Sequence, residues 1–213
     1  MDSRSSIERD LAAALAAQIK AVANWHEIEP DAVATTGFTS PAEQMEKLVL
    51  AQHFMNFSLW HTEDVARRKD VDASVIANCK YRIDVMNQKR NDAFEAVDAC
   101  LVARLEQFIP PLQEGENPRH NTESLGMAVD RMSILALKIF HMAEQAARSD
   151  VDESHRRTCL GKLAVLEEQR NDLEQAIFDL IADFCSGVKR PKAYYQFKMY
   201  NDPMLNPQLY GKK

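Results

Sequence analysis

Glycine is scarce in this chain, with only six in 213 residues. Long runs therefore pass without a breaker, which argues against a turn-rich β architecture and for long helices. No apolar run approaches the roughly 20 residues a membrane span needs, so a membrane protein is not expected. The four cysteines, Cys79, Cys100, Cys159 and Cys185, form no C-x-x-C pair and no zinc spacing, so they read as small apolar residues in a reducing compartment. The amino-terminal stretch "MDSRSSIERDLAAALAAQIKAVANW" carries early acids and is interrupted by Gln18 and Lys20. It reads as an amphipathic helix and not a signal peptide, which places the protein in the cytoplasm by default. No reaction-specific motif is present.

What is there is an all-α pattern. Helices are expected near residues 6–26, 41–68, 73–108, 122–148 and 153–186. Ser40-Pro41 with Glu43 reads as a helix start, Asp72 and Asp152 read as caps, and "IPPLQEGENPRHN" reads as a linker. With 46% hydrophobic and 27% charged residues, one soluble domain accounts for the whole length. Net charge is −6, yet residues 186–213 hold six Lys or Arg against Asp202 alone. A basic tail on an acidic body is expected to fold back on that body.

The chain also repeats itself. With an offset of 80 residues, the 41 positions from His61 align without a gap on those from His141, and 13 are identical. Chance would give about two or three. The identities include His61/His141, Arg68/Arg148, Cys79/Cys159, Arg90/Arg170, Asn91/Asn171 and Asp92/Asp172. The expected architecture is thus a duplicated antiparallel hairpin forming a pseudo-two-fold four-helix bundle. Its parts are an amino-terminal helix and linker (1–40), repeat 1 (41–108), a linker (109–121), repeat 2 (122–186) and an aromatic basic tail (187–213). The tail is expected to be ordered and to cover one end or groove of the bundle.

The duplicated polar residues fall on apolar stripes. His61 and Asp64, like His141 and Glu144, share a helix face with Phe, Leu and Ile. Arg90 and Arg170 each sit mid-stripe, and a buried guanidinium requires an anion with matching geometry. Folding hairpin 1 about residues 70–72 is expected to bring Asp84 near His61 and Asp64.

Three readings follow. In the first, a pocket binds a small anionic ligand, phosphate-like or sugar-phosphate-like. Arg90 and Arg170 clamp the anion, Asn91 and Asn171 orient it, and Asp92, His141, Glu144, Arg148 and Tyr200 complete the site. Its catalytic form uses His61, Asp64 and Asp84 as acid and base groups. In the second, the protein is a non-enzymatic scaffold in which each arginine pairs with an inward carboxylate such as Asp130, Asp64 or Glu144. In the third, His61, Asp64, His141 and Glu144 are ligands of a divalent metal, the sole cofactor the residues suggest. Nucleic acid is disfavoured because only the tail is basic, and homo-oligomerisation stays open.

Several long segments, "LWHTEDVAR", "IDVMNQKRND", "TESLGMAVDRMSILALKIFHMAEQAARSD", "LEEQRNDL" and "YYQFKMYNDPMLNPQLY", resemble the uncharacterised bacterial DUF4254 family. The resemblance covers nearly the whole chain after residue 40. It implies candidate functional positions at Trp60, His61, Glu63, Asp64, Asn87, Gln88, Arg90, Asn91, Asp92, Glu123, His141, Glu144, Gln145 and Arg148, with a faint link to surface-sugar metabolism and no assigned activity.

Overall fold

A computed structural model describes residues 3–192, 195 and 199–210, without the side chain of Tyr200. Among the described residues the chain is helical, with no strand. Its helices are α1 (Arg4–Glu27), α2 (Pro41–Ala66), α3 (Ala73–Leu105), α4 (Leu125–Ala147), α5 (Glu153–Cys185) and the short α6 (Pro207–Tyr210). None is long and apolar enough to cross a membrane.

Local chemistry sets the helix ends. Ser3, Ser40, Ser124 and Asp152 each accept a backbone N–H of the first turn, which satisfies donors that have no intrahelical partner. The Glu43 carboxylate reaches back to the backbone and hydroxyl of Thr39, one residue before the cap. Asp72 stands at the start of α3 but makes no side-chain cap bond. α3 ends at Leu105 and tightens into a 3-10 turn over Glu106–Phe108, short of the expected continuous helix. Gly187, with φ 78°, supplies the left-handed residue that closes α5, as Gly187 N donates to Phe184 O and Lys189 N to Asp183 O.

α2 packs on α3, and α4 on α5. α2 and α4 also touch, and α1 packs against both, so the amino-terminal helix is part of the core. One apolar cluster joins Leu11 and Leu15 of α1 with Met45, Val49, Leu101, Val129, Met132, Ile177 and Ile181. A second gathers Val22, Phe54, Phe57, Ala136 and Leu137, with Trp25, Trp60 and Phe140 against them.

Between the two clusters along the helices sit buried polar residues: Gln18 on α1, Gln52, His53 and Asn56 on α2, and Asp130 and Ser133 on α4. Asp130 is their hub. Its carboxylate accepts from Gln52 at 2.5 Å, Asn56 at 2.9 Å and Arg90 Nε at 2.8 Å, and a second bond from Arg90 Nη2 completes a bidentate pair. His53 pairs through Nδ1 with Ser133 Oγ at 2.7 Å. The groups around Asp130 are tolerated because they bond to one another, whereas the Gln18 amide and Gln52 Oε1 are buried without a partner among the described residues.

The start of the tail is tied down. Arg190 N donates to Arg119 O at 2.8 Å, Arg119 and Lys189 form an isolated parallel bridge, and Lys189 Nζ lies 3.0 Å from Asp183. Tyr195 lines a groove of about 670 Å³ along α3 together with Arg190 and Pro191. Farther on, Met199, Met204, Leu205, Leu209 and Tyr210 are exposed.

Candidate metal centre

Three helices bring three imidazoles together. His26 comes from the last turn of α1, His61 from α2 and His141 from α4. Ring centroids are 5.0 Å apart for His26–His61 and His26–His141, and 5.8 Å for His61–His141. One ligand nitrogen of each lies within 4.8 Å of the others. A tetrahedral ion with bonds of 2.0–2.1 Å requires nitrogens about 3.4 Å apart.

The hydrogen bonds orient these rings. His26 Nδ1–H donates to Val22 O at 2.7 Å, and His141 Nδ1–H donates to Glu144 Oε2 at 2.7 Å. In a neutral ring each bond fixes the tautomer and leaves Nε2 free to take a metal, the usual arrangement behind a metal-bound histidine. The Nε2 atoms of His61 and His141 are buried and accept no hydrogen bond. Burial pushes the His61 pKa down, the neighbouring His26 and His141 add to this, and Asp64 and Glu29 act against it. The ring is thereby held in the neutral form that a metal requires.

Aromatic side chains wall the cluster. Phe140 stacks on His26 at 4.3 Å, Trp60 stacks on His141 at 4.8 Å, and Phe57 meets His61 edge-on at 4.5 Å. Two grooves flank it. His61 opens on one of about 620 Å³, lined by α2, α3 and the segment after α1, including Glu29, Asp31, Ser58, Arg82 and Met86. His141 opens on one of about 820 Å³ between α4 and α5, including Trp60, Lys138, Gln145, Gly161, Lys162 and Leu166.

The other residues singled out in the sequence lie elsewhere or are otherwise engaged. Asp64 makes no bond to His61. It lines a third groove with Glu63, Arg67, Asn87 and Arg90. Asp84 bonds to Lys80 at 2.5 Å, and the α3 residues that share a groove with His61 are Arg82 and Met86. Asp84 lies about 200° from each of those around the helix, so it faces away. The expected His61–Asp64–Asp84 grouping does not form.

Glu144 is bonded to the far nitrogen of His141, where it positions the ring. Arg90 is held by Asp130. Arg170 is buried, donating to Leu15 O at 2.8 Å and Met132 O at 3.4 Å. Arg148 pairs with Asp150 at the end of α4, and Asp92 accepts from Gln88. Asn91 is half-buried and Asn171 exposed. The side chain of Tyr200 lies outside the described residues.

Sequence reasoning missed His26. It belongs to α1, outside the repeat, so no internal comparison marked it. Its one local signal is a histidine in a last helical turn next to Trp25.

A family model described as "Protein of unknown function (DUF4254)" matches residues 46–193. No curated protein and no solved structure matches the chain at a significant level.

Proposed function

Since the chain belongs to the DUF4254 family, whose description carries no activity, we propose its function from its own geometry: it binds a divalent transition metal, zinc by ligand chemistry, through His26, His61 and His141. The observation that carries this reading is the buried, unpartnered Nε2 of both His61 and His141, in a trio of imidazoles that each offer a ring nitrogen within 4.8 Å of the other two. Buried polar atoms without partners are rare enough to require an explanation, and a cation supplies one. Three neutral nitrogen ligands leave a coordination position open, the pattern of catalytic rather than structural zinc sites. The ion bound there would act as a Lewis acid or activate a water for attack on a polar substrate.

The same reading takes the two hairpins as a duplicated unit around an approximate two-fold axis between α2 and α4. Two pairs of positions related by the 80-residue offset touch there, His61 with His141 and His53 with Ser133. The metal then lies near that axis, and α1 adds the third ligand that the repeat does not supply. The scaffold reading keeps a place in this account, because the Asp130 network supports the two helices that carry His61 and His141.

The test is titration of chelator-treated protein with cobalt(II) and zinc. One ion per chain is expected, with visible cobalt bands of a nitrogen-rich low-coordinate site. His26→Ala, His61→Ala and His141→Ala should each weaken binding at least about 100-fold, while Asp64→Asn and Asp84→Asn leave it unchanged. Binding that survives in a His61→Ala/His141→Ala double variant would overturn the proposal.

A further inference from the structure

The two grooves beside the histidines correspond under the 80-residue offset. His61 matches His141, Ser58 matches Lys138, Arg82 matches Lys162 and Met86 matches Leu166, each pair lining its own groove. They differ in what else is present. The groove at His61 contains carboxylates of the chain's own segment after α1, Glu29 and Asp31, facing the same space as Arg82. Among the described residues no acid lines the groove at His141. There Lys138 and Lys162 are both exposed, and among the described residues neither has an ion-pair or hydrogen-bond partner.

The bed of this second groove is apolar and open. Trp60 lies flat on His141, and Leu166 stands beside it. Gly161 occupies the position that is Tyr81 in the first repeat, and a Cβ there would meet nothing within 4 Å. A glycine within a helix destabilises it by about 1 kcal/mol relative to alanine. Its presence inside α5 is accounted for if open space at that point is needed.

We infer that the groove between α4 and α5 binds a small molecule with an anionic head, phosphate or carboxylate, on an aromatic or apolar body. Lys138 and Lys162 take the head, in a groove to which the described residues supply no carboxylate. Trp60 and Leu166 take the body, and Gly161 gives it room. Aromatic faces and cations of this kind favour a flat anionic ligand. The inference deepens the metal reading, since His141 lines the groove and is one of the three histidines that would hold the ion.

Binding of phenyl phosphate, benzoate and neutral benzyl alcohol is measured by heteronuclear NMR titration, on metal-free and on zinc-loaded protein. Both anions should bind metal-free protein and shift resonances of Trp60, Gly161 and Lys162, with benzyl alcohol at least about tenfold weaker. Lys138→Gln and Lys162→Gln should each weaken the anions about tenfold, the size of one lost charge-assisted bond, and Arg82→Gln should not. Gly161→Leu should abolish binding. Because leucine favours the helix, that loss would not be unfolding.

Preference for phenyl phosphate or for benzoate identifies the head group within the proposal. Equal affinity for benzyl alcohol, or indifference to both lysine substitutions, overturns it whatever zinc does. Lysine-dependent anion binding in a protein that takes up no zinc would leave this groove standing and remove the metal.

Discussion

Arg90 of α3 grips Asp130 of α4 with two nitrogens, joining the two hairpins at a point where the carboxylate side chain is only 6% exposed. Gln52 and Asn56 of α2 donate to the same carboxylate, so three helices depend on one acid. Asp130→Ala would leave the guanidinium and the Gln52 amide without an acceptor, while Asn56 keeps Ser133 Oγ at 2.9 Å. A loss of about 3–5 kcal/mol in urea denaturation is expected, as for other broken buried pairs. Arg90→Met should be destabilising as well, and the double variant should lose less than the sum of the two. A coupling energy below about 0.5 kcal/mol would show that the pair is not a unit.

His53 is fully buried, and its pKa is pushed down to about 3, first by burial, with the Gln18 backbone acting against this and the Arg170 charge acting with it. The folded value lies below the unfolded one of about 6.5. Between those two values the unfolded chain binds a proton that the folded chain does not, so stability falls as pH falls through the window. From pH 7 to pH 5 this amounts to about 2 kcal/mol. Denaturation curves at the two pH values should show that difference for the parent over His53→Gln. Parallel losses in both would remove His53 as the cause.

The helical class, the hairpins and the polar character of the interior were legible because each leaves a periodic or compositional trace. Arg90 and Arg170 stood out as cations within apolar stripes, and Asp130 was readable as an inward acid on the matching stripe. What Arg170 binds was not legible, since its acceptors are the carbonyls of Leu15 and Met132, which every residue possesses. Asp84 was placed by proximity along a folded hairpin, but helical phase turns it toward Lys80. His26 reaches the centre only through the packing of α1 across α2 and α4, a tertiary fact without a sequence period. The pairing of His141 with Glu144 was visible as i,i+3 spacing, while its geometry, carboxylate on the outer nitrogen, needed coordinates.

Two glycines give opposite expectations for one substitution. At Gly126 a Cβ would lie 2.1 Å from Phe94 O and 2.9 Å from Asp98 Cβ, where α4 starts against α3 and Gly126 N donates to Asp98. Gly126→Ala must push these backbones apart, at a cost of about 1–3 kcal/mol or more. Gly161→Ala meets open space in a helix interior, and should stabilise by about 0.5–1 kcal/mol. Thermal melts of the two variants should move in opposite directions. A neutral Gly126→Ala would mean that the close approach of α3 and α4 is not as tight as described.

For the proposed zinc site, Glu144 tests the difference between a ligand and a residue that positions one. Its carboxylate accepts from Nδ1 of His141, so it is expected to raise the basicity of Nε2 and hold the ring toward His26 and His61 without touching the ion. Glu144→Gln keeps an acceptor but removes the charge, and should weaken zinc binding by about 10- to 100-fold with stoichiometry unchanged. Half-exposed and at the end of α4, it should leave the melting temperature of metal-free protein nearly unaltered. Cobalt spectra provide the decisive contrast. Loss of a positioning group should preserve the band pattern at saturating cobalt, whereas loss of a ligand, as in His141→Ala, should change it. A changed pattern in Glu144→Gln would place the carboxylate on the metal and return His141 and Glu144 to the paired-ligand arrangement.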